Sequence, residues 1–351
     1  MKNLKYSSYT VESVTSGHPD KICDQVSDGI LDACLSSDPH SRVAIECMGS
    51  HGRFYIGGEV TTKAEFNASR IAKNIYRQIG YGDKLKVITN IINQSQDIAC
   101  GVDTGGAGDQ GIMYGFATDE TESYLPLGLY LVHKLTKGLE DARKTGGIKW
   151  LMPDGKAQVT IEKGRVTKVL VSCQHKEEVT HDEIKKYLKK YLIEPTVGNY
   201  GNKYELLVNP TGRFVNGGFF ADTGLTGRKI MVDSYGGMMP HGGGAFSGKD
   251  PTKVDRSGAY MARYAAKNMV YRGFGKRCLV SVSYAIGKAE PLMVYAINEK
   301  DEDLSEYVSK HFDFRPLSII EKLNLRQPIY RETASYGHFG RDVFPWEKLE
   351  D

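Results

Sequence analysis

The sequence predicts an α+β protein built of three similar α/β units, each a sheet covered by helices. Three observations carry this expectation. At 351 residues the chain is longer than one hydrophobic core usually supports. Its hydrophobic patterning passes three times through the order helix, strand, strand, helix, with a further strand after the first two passes. Glycine-rich intervals at 101–111 and 209–248 separate the passes, and polar groups collected in such connections are where function usually resides.

The first pass opens with a helix over Asp20–Ser36, whose Ile22, Val26, Ile30 and Leu31 share one face. Strands at Val43–Met48 and Phe54–Val60 flank the turn Ser50-His51-Gly52, and a helix near Lys63–Ile79 leads to a strand at Lys86–Ile92. The second pass has a helix around Tyr124–Arg143, strands at Ala157–Glu162 and Val166–Cys173, a helix at His181–Leu192 and a strand at Tyr204–Val208. The third runs through a helix at Lys253–Tyr271, strands at Arg277–Ile286 and Leu292–Ile297, and a helix near Leu304–Phe312. The expected domains are 1–103, 104–215 and 216–351.

A composition of 40% hydrophobic and 25% charged residues is that of an ordinary globular protein. A net charge of +3, without a long basic run, gives no case for nucleic acid. The six cysteines are dispersed and form no C-x-x-C pair, which suits reduced thiols in a cytoplasmic protein. The basic N-terminus is followed by no apolar signal region, and no apolar run is long enough to span a bilayer.

The densest chemistry lies at His241-Gly-Gly-Gly-Ala245-Phe-Ser-Gly248-Lys249-Asp250-Pro-Thr-Lys253-Val-Asp255. Glycines let backbone N–H groups approach an anion, the lysines add charge, and Asp255 is a hard oxygen ligand of the kind Mg2+ prefers. Gly243-x4-Gly248-Lys249 nearly spells a Walker loop, but Asp250 replaces its Ser or Thr and Pro251 delays the helix. The expectation is a polyphosphate site of another kind.

Other clusters accompany it. Pro19 suits the first helical position, which gathers His18, Asp20 and Lys21 near a helix N-terminus. Asp109 is fixed among Gly105–Gly111, where a plain tight turn is the ordinary alternative. Asp154-Gly155-Lys156 alone reads as a hairpin turn. In Asn209–Phe214 and Asp222–Lys229, Phe214 could stack on a base or fill a core, while Arg228 and Lys229 could bind phosphate. Glu46 and Glu59 lie on the first hairpin. No nucleophile signature occurs, so the inventory suits a reaction whose nucleophile belongs to a substrate while the protein stabilises a leaving polyphosphate.

Gly17-His-Pro-Asp-Lys21, Gly106-Ala-Gly-Asp-Gln-Gly111, Asn209–Phe214, Gly243–Asp250, Asp255-Arg-Ser257, Tyr336-Gly-His-Phe-Gly-Arg341 and Phe344-Pro-Trp-Glu347 together resemble the signatures of the S-adenosylmethionine synthetase family. The resemblance runs from about Tyr9 to Lys348. It implies three domains related by pseudo-threefold symmetry and a homodimer with active sites between subunits, commonly paired as a dimer of dimers. The implied reaction joins ATP and L-methionine, releasing triphosphate that is then cleaved to phosphate and diphosphate.

By position, His18 is similar to the histidine beside the departing oxygen. Asp20 and Asp255 are similar to the ligands of two Mg2+ ions, and Glu46 to the carboxylate of a K+ site. Lys156, Arg228, Lys229 and Lys249 match triphosphate contacts, with His18, Lys156, Arg228 and Lys249 as the catalytic set. Asp154, Arg213, Phe214, Asp222 and Ala245 complete the implied ATP site. Glu59, Gln94, Asp222 and Lys253 match residues around methionine, and Asp109 an active-site carboxylate. Two departures stand out: the interval between Asp97 and Gly106 is shorter than the family's gating loop, implying faster product exchange or looser selection, and Thr223 stands where the family often has cysteine.

Overall fold

The computed structural model describes residues 7–93, 105–201 and 203–350. Its first third contains β1 (Ser8–Val14), α1 (Pro19–Ser37), β2 (Arg42–Ser50), β3 (Arg53–Thr61), α2 (Ala68–Ile79) and β4 (Lys86–Ile92). The second contains β5 (Gly111–Thr118), α3 (Leu127–Lys144), β6 (Leu151–Glu162), β7 (Arg165–His175), α4 (His181–Leu188) and β8 (Glu205–Val208). The third contains β9 (Gly224–Leu225), α5 (Val254–Tyr271), β10 (Arg277–Tyr284), β11 (Met293–Asn298) and α6 (Ser305–His311). The three α/β units are thus present, each with a long helix followed by a hairpin. In the first two, a helix then leads to a strand parallel to the hairpin's second strand.

The sheets do not respect the sequence thirds. Their orders are β4-β3-β2-β9, β1-β6-β7-β8 and β11-β10-β5. Each long helix is preceded by a strand that pairs antiparallel with the hairpin of the next unit: β1 with β6, β5 with β10, and β9 with β2. The exchange is cyclic, so it closes the three units into a ring. These three donated strands are the ones the sequence reading lacked. Asp154-Gly155-Lys156 is likewise not a turn: it lies inside β6, where a register shift between Leu151 and Gly155 absorbs the irregular backbone.

Each long helix packs on its own sheet: α1 on β2, α3 on β6 and β1, and α5 on β5 and β10. The N-terminus of α1 is closed by His18, whose side chain accepts the Asp20 N–H, with Pro19 supplying the helical φ. α5 is buried almost all round although it carries Arg256, Arg263 and Lys267. Burial of charge demands partners. Arg256 forks onto Asp28 at 2.7 and 2.9 Å, while Arg263 and Lys267 share Glu347. The family-like tail Tyr336–Glu347 therefore belongs to the core of the third unit. No helix among the described residues is long and apolar enough to cross a membrane.

The inner sheet faces are apolar, as expected, but part of the outer surface is apolar too. On the first sheet, Met48, Tyr55 and Ile88 form an exposed cross-strand row, and the half-buried Ala44 and Glu59 lead in a second row to the exposed Ile92. Ile112 and Met293 stand exposed on the third sheet.

Burial holds two core histidines neutral. His133 falls to about 3 through burial, then Arg341 and Lys21; His338 falls well below its usual value through burial and Arg256. Between pH 6.5 and about 3 the unfolded chain takes up protons that these rings refuse, so stability should fall as pH drops through that window. His338→Asn should flatten the pH dependence of the melting temperature by one proton's share, which thermal melts across pH 4–7 with about half-unit spacing would read.

Candidate active site

Two helix N-termini collect the candidate residues. At the first, the segment Thr15–His18 is tied to three parts of the ring. Thr15 Oγ1 donates to Pro153 O at 2.7 Å, Tyr81 Oη donates to Gly17 O at 2.7 Å, and Ser16 N–H donates to Tyr336 Oη at 3.1 Å. His18 is thereby buried and fixed. Its Nδ1 accepts the Asp20 N–H at 3.2 Å. Burial first, then Lys229 and Lys156, depresses its pKa to about 3. A neutral ring whose Nδ1 accepts carries its proton on Nε2, so His18 is a neutral N–H donor.

Asp20, two residues on, accepts from Leu225 N–H at 3.0 Å and from Lys229 Nζ at 2.6 Å, with Arg228 Nε at 3.6 Å. Burial would raise its pKa, but the Lys229 and Leu225 bonds outweigh it and hold the carboxyl ionised. The donated strand β9 is what carries Asp222–Lys229 to this helix end. From β6 come Asp154 and Lys156. Asp154 is buried and accepts Gly218 N–H at 2.9 Å through Oδ2, while its Oδ1 has no hydrogen-bond partner among the described residues. Burial lifts its pKa to about 6, with Asp222 adding to the rise and Lys156 opposing it. Lys156 is exposed.

The second collection lies at the start of α5. Lys249 pairs with Asp255, and Lys253 pairs with Asp250. The glycine loop wraps Asp255 closely: at Gly243 (φ 75°) a Cβ would come within 2.5 Å of Asp255 Oδ1. His241 sits at the edge of the Phe246 ring, and Gly111 brings the exposed Asp109 segment against Gly243. Asp250 is not a phosphate ligand. It is fully buried and accepts Val43 N–H at 2.7 Å, Thr252 N–H at 2.9 Å and Thr252 Oγ1 at 2.6 Å. The residue that breaks the Walker pattern is the clamp holding the loop to β2. Ala44 bridges Lys249 and also stands opposite Glu59, which places Glu59 and the exposed Glu46 on the strand face beside this loop.

The two collections meet where Gly227 abuts Ala245, a Cβ at 227 falling 2.5 Å from the Ala245 Cβ. Beneath them lies a feature the sequence reading missed. Asp20, Asp24, Asp28 and Asp32 recur every fourth residue on α1. Asp24 accepts Gly227 N–H at 2.8 Å, Asp28 accepts Gly248 N–H at 2.8 Å, and Asp32 accepts the N–H groups of Tyr330 and Arg331 at 2.9 and 2.8 Å. Lys21, bonded to Asp24 at 2.9 Å and to Asp233, completes the stripe. The fourfold spacing was visible in the sequence as a signal.

Arg213 and Phe214 stand somewhat apart. Arg213 is exposed and pairs with Glu177, while Phe214 is half-buried, its N–H donating to His175 Nε2 at 3.1 Å and its carbonyl accepting the His175 N–H at 2.9 Å. Gln174 links their segment to the site, since it bonds both Val215 O and Asp154 N–H. Gln94 and the shortened interval after Asp97 lie outside the described residues up to Thr104.

Cations and single carboxylates gathered at two helix ends, on glycine loops between α/β units, define an enzyme with a polyanion site. Comparison makes this specific. Models of the N-terminal, central and C-terminal domains of S-adenosylmethionine synthetase match residues 6–98, 104–214 and 216–348. Proteins named S-adenosylmethionine synthase are similar along their whole length. The one from Petrotoga mobilis is 48% identical, covering 99% of this chain and 97% of that protein. The one from Brachyspira hyodysenteriae is 47% identical, over 100% and 98%, and that from Staphylococcus epidermidis 49%, over 97% and 95%. The chain belongs to the S-adenosylmethionine synthetase family.

Asp250→Ser, which completes the Walker pattern, should destabilise the chain by about 3 kcal/mol through loss of the buried Val43 and Lys253 partners. Urea unfolding of the variant against wild type measures this.

Proposed function

We propose that the chain is a methionine adenosyltransferase: the sulfur of L-methionine attacks C5′ of ATP, the S–C5′ bond forms as the C5′–O5′ bond breaks, and the electron pair leaves on the triphosphate. The observation that carries the reading is His18, buried and fixed by the Asp20 N–H, and held neutral by burial and by the charges of Lys229 and Lys156. A neutral N–H donor meets the oxygen on which charge grows, and fixed cations stabilise that charge more in the transition state than in bound ATP. Lys156, Arg228, Lys229 and Lys249 are assigned to the triphosphate. Asp154, with its bare buried oxygen, and Asp222, Arg213, Phe214 and Ala245 are assigned to the nucleoside side. Glu59, Gln94, Asp222 and Lys253 are assigned to methionine, and Asp109 is assigned as an active-site carboxylate. Cleavage of the released triphosphate to phosphate and diphosphate follows before the products leave.

Asp20 and Asp255 are each a lone carboxylate with a lysine upon it, and no three acidic, thiol or imidazole groups converge among the described residues. Such a donor set fits Mg2+ arriving on a polyphosphate, where one or two protein carboxylates suffice. Asp20 and Asp255 would hold two such ions, which when bound neutralise triphosphate charge. Glu46 would supply one ligand of a K+ site.

We further propose a homodimer, alone or doubled. Glu46 lies between the apolar row Met48–Tyr55–Ile88 and the row in which Glu59 stands between Ala44 and Ile92, so a second copy covering that face would place both carboxylates between subunits.

His18→Asn should slow adenosylmethionine formation about a hundredfold with the fold intact. Single-turnover assays with ATP, methionine, Mg2+ and K+ test the role. Products containing diphosphate still on the nucleotide would instead indicate a kinase. Tyr55→Glu should shift the sedimenting species to the monomer, with activity falling alongside it; an unchanged oligomer would remove that face from the interface.

A further inference from the structure

Helix α2 buries an apolar face and turns a basic stripe outward. Arg70, Lys73 and Arg77 follow one another at helical spacing, all exposed, and the helix contains no Asp or Glu. The segment beyond it adds Lys84 and Lys86. From residue 68 to 86 five cations thus stand against one carboxylate, Asp83, an excess of four charges where the whole chain has three. Like charges one turn apart destabilise a helix. Elsewhere the chain relieves its helix lysines: on α3, Lys137 pairs with Asp141 and Lys144 with Glu140.

Four of these cations share one cavity. Lys73, Arg77, Lys84 and Lys86 line a space of about 440 Å³ between α2, the 82–86 segment and the β2–β3 turn. Lys86 N–H donates to Gly52 O at 2.8 Å and so ties that segment to the turn. All four side chains are exposed, so their charged ends are free to meet a ligand in the opening. Among the described residues none of the four forms an ion pair. Asp83 lines the cavity too, but Tyr76 Oη donates to its two oxygens at 3.0 and 3.1 Å, and one carboxylate cannot balance four cations.

The backbone adds to the cationic wall. The N–H groups of Gly82, Asp83 and Lys84 donate to no acceptor among the described residues, and a Cβ at Gly82 would meet nothing within 4 Å. Successive free N–H groups on an open loop favour an anion. None of the residues assigned to the active site lines this cavity.

We propose that it is a second anion site, for a small condensed phosphate such as inorganic diphosphate or triphosphate. Lys73 and Arg77 stand on the helix wall, Lys84 and Lys86 on the opposite segment. Linked phosphates reach both walls, where a single phosphate engages one, and their charge matches the surplus that the cavity carries. Such a site stands apart from the reaction proposed above.

Calorimetric titration of the full chain with inorganic triphosphate, free of Mg2+, tests it against the paired variant Lys73→Glu/Arg77→Glu. The variant should lose one saturable site per chain relative to wild type, whatever the active site binds, while its melting temperature and its rate of adenosylmethionine formation stay as in wild type. Lys84→Gln should weaken the same site about fivefold, and orthophosphate should bind it about tenfold more weakly than triphosphate. Equal numbers of sites and equal affinities in wild type and the paired variant, orthophosphate bound as tightly as triphosphate, or no saturable binding at millimolar triphosphate would each overturn the proposal.

Discussion

The structure depends on the four aspartates of α1. Carboxylates at successive fourth positions of one helix repel each other, and burying them is costly unless each is paired. Here their partners come from the far end of the chain. Asp20 takes Leu225 and Lys229, Asp24 takes Gly227, Asp28 takes Gly248 and Arg256, and Asp32 takes Tyr330 and Arg331. α1 can therefore be buried only when the 224–229 loop, the glycine loop and the 330s are in place. Those loops, being rich in glycine, gain from α1 the anchors their own sequence lacks. The stripe and the site form together.

The cyclic strand exchange does the same at the level of the sheets. β9 has only two residues and no independent stability, yet its pairing with β2 sets the approach of Arg228 and Lys229 to Asp20. β1 runs along β6 in register, with Val14 opposite Lys156, so the chain leaving β1 delivers His18 beside Lys156. Each joint of the ring is thus a place where residues remote in sequence meet, and the first cluster of the site occupies two of the joints. Precise placement follows from sheets and helices rather than from loops alone.

Legibility in the sequence followed locality. The long helices and hairpins declare themselves by their own period, and the boundaries of β4, Lys86–Ile92, were read as they stand. β1, β5 and β9 were not, because what makes each a strand is a partner over a hundred positions away, in the hairpin of another unit. Asp154-Gly155-Lys156 carries turn chemistry, and only the β7 partner turns it into a bulged strand. The candidate residues were legible as motifs, yet their grouping into two clusters meeting at Gly227 and Ala245 was not. The aspartate stripe shows in the sequence only as a fourfold spacing, and the partners that bury it, Gly227, Gly248, Arg256, Tyr330 and Arg331, lie about two to three hundred positions away.

The pairing of charge within the site bears on how it can work. Lys229 lies on Asp20, Lys249 on Asp255 and Lys253 on Asp250, so three of the cations are already held by carboxylates of the chain. The third pair is structural, because Asp250 is spoken for by Val43 and Thr252. The other two are different. Asp20 and Asp255 stand at helix N-termini, where an ionised carboxylate is favoured, and their lysines remain partly open to solvent. On the proposed reaction, a polyphosphate entering with divalent ions would find use for both halves of each pair, oxygens for the ions and ammonium groups for the phosphates. The cations are thus pre-positioned without leaving bare positive charge in a buried cleft, and little reorganisation remains when charge develops on the leaving group. On the proposed reaction the glycine–lysine loop would serve a departing triphosphate, and Asp250 is the residue that keeps it from being a Walker loop and makes it a rigid one.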